Sequence, residues 1–199
     1  MKKKTLDEND FDIFVIGGGV NGAGILRDAA GRGYKCGLAD MGDFGSATSS
    51  SSTKLFHGGL RYLESYQFRL VKESLRERDL LLNLMPHISW PVKFILPHNK
   101  NLRPYWILRL GLYIYDLLAG STNLSKSVGI DLRNNPVGSC LDKSYTRALV
   151  YTDCWVEDSR LVLLNILDAE KKGAKAFSYS KVTDCLLYTS DAADDCEGV

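Results

Sequence analysis

The sequence predicts an α/β fold that opens with a dinucleotide-binding βαβ unit, and three observations predict it. A short apolar run, Ile13-Phe14-Val15-Ile16, breaks into closely spaced glycines at Gly17, Gly19 and Gly22. A helical pattern from Ala23 to Gly31 follows, and then a second apolar stretch from Tyr34 to Ala39. An acid, Asp40, stands about 20 residues beyond the glycines, where a carboxylate can accept hydrogen bonds from a ribose. The pattern has a physical reason. A buried parallel strand needs a continuous apolar run, and the chain must then turn sharply so that a helix N-terminus meets a pyrophosphate. Gly17 allows the turn, Gly19 lets backbone approach the phosphates, and Gly22 lets the helix lie close to the strand. The fold so predicted is Rossmann-like.

The later elements follow in order. The hydroxyl-rich stretch Gly45 to Lys54 has the composition of a linker. Its place directly after the acid instead puts Ser and Thr hydroxyls beside a bound dinucleotide, where they can bond phosphate oxygens. Residues 64 to 85 read as a helix, with Phe68, Val71, Leu75, Leu82 and Met85 at helical spacing, and Pro86 ends it. The segment 104 to 118 is the most apolar of the chain. It is too short to span a bilayer and contains Arg109 and Asp116, so it reads as a core helix or one that lies against a membrane surface. Residues 121 to 147 read as a polar connection with a turn at Asn134-Asn135-Pro136. Tyr151 to Val156 reads as a strand. Asp158 then caps a helix through Leu161, Leu164, Ile166 and Leu167 that Gly173 stops, and a strand is expected from Ala174 to Val182. The tail Leu186 to Val199 holds four acids and no base. It reads as a non-native or disordered end, of the kind produced when a sequence read runs past a real gene.

Bulk composition narrows the function class. The 199 residues are 45% hydrophobic with a net charge of +1, which fits a globular protein and gives no sign of a nucleic-acid partner. The start, Met1-Lys2-Lys3-Lys4, has no apolar core behind it, so no secretory signal is read there and a cytoplasmic location is expected. Five scattered cysteines without a CxxC pair argue against a disulfide framework or a zinc site. His87 and His98 lie beside prolines with no acid or Cys at ligand spacing, and no metal is expected. Between Lys54 and Arg109, ten Lys or Arg face four Asp or Glu, an excess suited to anionic lipid or a phosphorylated substrate.

The segments Arg27-Asp28-Ala29-Ala30-Gly31-Arg32-Gly33 and Ala47-Thr48-Ser49-Ser50-Ser51-Ser52-Thr53-Lys54-Leu55-Phe56-His57-Gly58-Gly59-Leu60-Arg61-Tyr62-Leu63 together resemble the flavin-dependent, respiratory (aerobic) glycerol-3-phosphate dehydrogenase family. The resemblance continues through Leu96-Pro97-His98, Leu102-Arg103-Pro104 and Tyr151-Thr152-Asp153-Cys154-Trp155-Val156-Glu157-Asp158. It covers about residues 10 to 183. It implies an FAD-binding domain of the glutathione-reductase type and part of a mixed-sheet substrate domain. The division expected is 10–85 for the FAD domain, 86–157 for the substrate domain and connection, 158–183 for a return to the FAD domain, and 184–199 for the tail.

The resemblance also implies the chemistry: sn-glycerol 3-phosphate gives dihydroxyacetone phosphate, a hydride passes from C2 to flavin N5, and electrons go on to a membrane quinone. The family's chains run several hundred residues further, so this chain reads as an N-terminal fragment, inactive alone. A peripheral position on the inner face of the cell membrane is expected, and a homodimer is left open. Gly17, Gly19 and Gly22 would hold the pyrophosphate of FAD and Asp40 its ribose, with Thr48, Ser49, Ser50 and Lys54 lining the cofactor. His57 would take or donate a proton near the flavin. Arg61, with its planar fork for phosphate, and Tyr62 would face the substrate. Three alternatives stay open: an NAD-dependent dehydrogenase, a flavin amine or amino-acid oxidase of the same fold, and a non-catalytic nucleotide-binding fragment.

Overall fold

The computed structural model describes residues 11–184, so the expected tail lies outside the described residues apart from Asp184. The elements run β1 (Ile13–Ile16), α1 (Val20–Gly31), β2 (Cys36–Ala39), β3 (Leu55–Phe56), a 3-10 turn (Leu60–Ser65) and α2 (Phe68–Leu84). They continue with β4 (Ser89–His98), α3 (Tyr105–Ala119), β5 (Val128–Asp131), a second 3-10 turn (Pro136–Cys140), β6 (Arg147–Val156), α4 (Asp158–Lys171) and β7 (Lys175–Phe177). The described residues divide into two compact units, 11–52 with 158–184 and Thr53–Glu157.

The first unit is the Rossmann-like part. Its sheet is parallel with order β1-β2-β7, and the register sets Ile13 beside Cys36 and Leu38 beside Ala176. Parallel strands need a covering layer, and α1 and α4 supply it. Leu26, Ala29, Ala30, Cys36, Leu38 and Ala169 form one buried cluster, and Ala23, Val162 and Ile166 form a second. The strand expected from Ala174 to Val182 is confined to Lys175–Phe177. Tyr179 adopts a left-handed φ of 51° there, and the N–H groups of Tyr179 and Ser180 turn back to the carbonyls of Gly42 and Asp40.

The second unit is an antiparallel sheet with two helices. β6 lies at its centre, paired along its whole length with β4 and on its other side with β3 and β5. Trp90 stacks on Trp155 at 4.6 Å and Phe94 on Tyr151 at 5.3 Å, both as directly opposed pairs. Val71 and Leu75 of α2 pack with Tyr115 of α3 in a buried cluster that also takes in Leu60, Leu63 and Tyr151. That packing groups residues 53–85 with this unit. The single helix expected over 64–85 is divided, because Tyr66 adopts a left-handed φ of 57° between the 3-10 turn and α2.

Candidate active site

In the first unit the loop between β1 and α1 is built to be thin. Gly17 has φ 108°, which L side chains rarely adopt, and a Cβ on Gly22 would sit 1.9 Å from the Gly17 carbonyl oxygen. The first i→i−4 bond of α1 runs from Ala23 N–H to the Gly19 carbonyl at 2.9 Å, so the N–H groups before it point out of the helix end. No acid stands in the first turn to compete for that positive end. Asp40 accepts the Gly18 N–H on Oδ2 at 2.6 Å and the Gly42 N–H on Oδ1 at 2.8 Å, and so clamps the loop. Ser49 Oγ accepts the Val20 N–H at 3.0 Å and forms a rim over Gly19. Ser50 directs its hydroxyl to the carbonyls of Ser46 and Ala47 within its own loop, while Thr48 is exposed. A glycine-only loop, a helix start whose Gly19 cap has no side chain and a hydroxyl rim fit the pyrophosphate of a dinucleotide such as FAD.

The second unit carries a cleft of about 620 Å³ that brings His57, Arg61 and Tyr62 together. The wall opposite is the sheet, through Phe94, Tyr151 and Asp153. Lys54 opens this unit with φ 57°, and its carbonyl accepts the Val156 N–H at 2.9 Å. Glycines shape the turn that follows. A Cβ on Gly58 would lie 2.3 Å from Leu75 Cδ2, and Gly59 has φ 68° with the Tyr62 ring against it. His57 Nδ1 accepts the Gly59 N–H at 3.0 Å, so the neutral ring carries its proton on Nε2. Arg61 is exposed on the 3-10 turn, and among the described residues no carboxylate pairs with it. Glu64 of the same turn is engaged by Arg103 at 3.3 Å.

Beneath the cleft is a buried polar group that the sequence reading did not pick out. Tyr115 Oη accepts the Gly58 N–H at 2.9 Å and donates to Asp153 Oδ1 at 2.9 Å. Arg78 Nη1 donates to the same Asp153 oxygen at 2.9 Å, and its Nε and Nη2 donate to Asp79. Burial pushes the Tyr115 hydroxyl far above its ordinary value, with the Asp153 charge adding to it. Burial also raises the Asp153 carboxyl, against the opposing pull of Arg78 and Tyr115. The Arg78 charge is disfavoured by burial but held by Asp153 and Asp79, and its pKa is raised on balance. The available signal was an acid, Asp153, inside a largely apolar strand, since a buried charge requires a partner.

A family model described as DAO, FAD dependent oxidoreductase, matches residues 12–198. Among curated proteins, the chain is 53% identical over 171 residues to the D-erythritol 1-phosphate dehydrogenase of Brucella abortus (strain 2308), covering 86% of this chain and 34% of that protein. It is 49% identical over 172 residues to the aerobic glycerol-3-phosphate dehydrogenase of Escherichia coli (strain K12), again with 86% and 34% covered. The glycerol-3-phosphate dehydrogenase from Bacillus halodurans, solved complexed with FAD, superposes with a TM-score of 0.63 at 29% identity, covering 92% of this chain and 29% of that one. The chain thus spans about a third of the length of the curated relatives it matches.

Proposed function

Since the chain belongs to the family of FAD-dependent oxidoreductases, we propose that it carries the cofactor loop and part of the substrate cleft of an enzyme that oxidises sn-glycerol 3-phosphate to dihydroxyacetone phosphate and passes the electrons to a membrane quinone. The activity is assigned to the complete protein, and these 199 residues alone are expected to be inactive. The observation that carries the reading is Arg61, a guanidinium without a carboxylate partner among the described residues, on one cleft with His57 and Tyr62. A phosphate ester answers such a group, because the planar fork makes two charge-assisted hydrogen bonds to it.

FAD, when bound, supplies the acceptor for a hydride from the substrate's C2. Gly17, Gly19 and Gly22 with the start of α1 hold its pyrophosphate, and Ser49 and Thr48 lie on the rim of that loop. A carboxylate has roughly four acceptor positions, so Asp40 keeps two for ribose hydroxyls after binding Gly18 and Gly42. Arg61 fixes the phosphate end of the substrate and Tyr62 closes the same side of the cleft. His57 donates from Nε2 to the C2 oxygen. That bond stabilises the negative charge that gathers on the oxygen as its proton leaves to cleft water.

A second reading, a four-carbon polyol phosphate such as D-erythritol 1-phosphate, is favoured by the 53% identity to that enzyme of Brucella abortus. The quinone reading draws support from α3. Trp106, Leu110, Tyr113 and Leu117 are exposed at helical spacing, whereas its charges are held elsewhere, Arg109 and Asp116 both on Ser127. We assign this stripe to an anionic lipid surface on the inner face of the cell membrane, where Trp and Tyr are favoured. Among the described residues no helix is long and apolar enough to cross a membrane.

Anaerobic mixing of the FAD-loaded complete protein with sn-glycerol 3-phosphate, D-erythritol 1-phosphate and free glycerol tests the reading. Rapid flavin bleaching by the first supports it, and faster bleaching by the second selects the four-carbon substrate. Bleaching by free glycerol as fast as by either ester, or by none, contradicts it.

A further inference from the structure

We propose that Tyr115, Asp153 and Arg78 form a buried positioning unit whose task is to set the His57-Gly58-Gly59 turn, and through it the orientation and tautomer of the His57 ring. The proposal deepens the assignment of the cleft as the substrate site and rests on it. The three side chains come from α3, β6 and α2 and meet under the turn, with residue exposures of 2%, 2% and 3%. A buried ion pair is a weak route to stability, because well-packed apolar residues of the same volume would avoid the desolvation penalty. Here the pair does something apolar residues could not do: it orients a hydroxyl.

A phenol has one proton. Arg78 holds Asp153 in place at 2.9 Å, and Asp153 takes the Tyr115 proton on the same oxygen. The Tyr115 lone pair is thereby turned to the Gly58 N–H at 2.9 Å. The raised value of the Tyr115 hydroxyl keeps that proton in place, so the direction of the chain of bonds does not reverse. Gly58 must be glycine for this contact, since a Cβ would lie 2.7 Å from Tyr115 Oη and closer still to Leu75. Fixing the Gly58 amide fixes the peptide plane after His57. The next amide, Gly59 N–H, then points back at His57 Nδ1 at 3.0 Å. An N–H on Nδ1 selects the tautomer with the proton on Nε2. Without the Gly58 anchor the turn can rotate, the bond to Nδ1 lengthens, and both tautomers become populated.

The test is Tyr115→Phe, which leaves the Arg78–Asp153 pair intact and adds no charge. Histidine ¹⁵N spectra of the complete protein, with the His57 signals identified by their loss in His57→Gln, report the tautomer directly. The parent protein is expected to show a non-protonated Nδ1 and a protonated Nε2. Tyr115→Phe is expected to show a mixture of the two tautomers. With the polyol phosphate that reduces the flavin, kcat is expected to fall about tenfold while KM moves less than about twofold, the pattern of a misplaced group that does not bind the phosphate. A single unchanged tautomer with unchanged kcat in Tyr115→Phe would overturn the proposal. Mixed tautomers in a protein that no polyol phosphate reduces would leave the positioning unit standing and remove the substrate reading instead.

Discussion

Asp40 accepts the N–H of Gly18 at 2.6 Å, a bond that ties the end of β2 to the loop leaving β1. The acid is therefore a clamp on the glycine loop as well as a candidate ribose ligand. Asp40→Asn keeps the shape but aims an NH2 at one of two N–H donors. Losing a charge-assisted bond of about 1.5–3 kcal/mol is expected to weaken FAD binding by about ten- to hundred-fold. Equilibrium dialysis with FAD checks it, and unchanged affinity would mean that the loop holds its form without the clamp.

Arg61 has a different signature. Arg61→Ala is expected to raise KM for the phosphorylated polyol by about ten- to hundred-fold, and Arg61→Lys by less, because the lysine keeps the charge but loses the fork. Steady-state kinetics separate the two, and an equal KM in all three proteins would remove Arg61 from the substrate site.

Asp168 gives a pH prediction. Arg27 and Lys172 hold its carboxyl below the ordinary 3.8, at about 2. A carboxyl lowered by folding binds fewer protons in the folded chain, so its contribution to stability is present above 3.8 and is lost as pH falls through about 2. The melting temperatures of the parent protein and Asp168→Asn should differ slightly at neutral pH and converge over that acid window. Because the bridge is exposed, salt should also narrow the gap.

The three cysteines among the described residues divide by environment. Burial pushes the Cys154 thiol up to about 11 and raises Cys36, and both are buried, whereas Cys140 is exposed. Iodoacetamide followed by peptide mass mapping should modify Cys140 in the folded protein and reach Cys36 and Cys154 only after denaturant is added. Equal labelling of all three in the native state would show that the sheets of both units open readily.

The two halves of the molecule were not equally legible in the sequence. β1, the glycine loop, α1 and β2 carry local signals: an apolar run, glycines where φ or close approach requires them, and a periodic helix. β4 lacks such signals because it contains Pro91 and Pro97. It tolerates them as an outer strand that, among the described residues, pairs only with β6. β5 is four residues within a polar stretch, and its pairing with β6 is not local. The same reason hid the buried polar unit. Arg78 lies 75 residues from Asp153 and sits among charges that read as a solvated helix face, and Tyr115 reads as one more apolar residue of α3. His57, Arg61 and Tyr62 were named from the resemblance; they are close in sequence and line one cleft. What the sequence left unread were the residues beneath them.

The proposed reaction turns on a hydride leaving C2 of a polyol phosphate. The most direct measurement is the rate of anaerobic flavin reduction in the complete protein with sn-glycerol 3-phosphate carrying deuterium at C2, compared with the unlabelled ester. The deuterated substrate is expected to reduce the flavin more slowly, in a single phase that follows saturation of the cleft. Equal rates at saturation would mean that the C2–H bond is not broken in the reduction step, and no reduction by either ester would remove the substrate assignment.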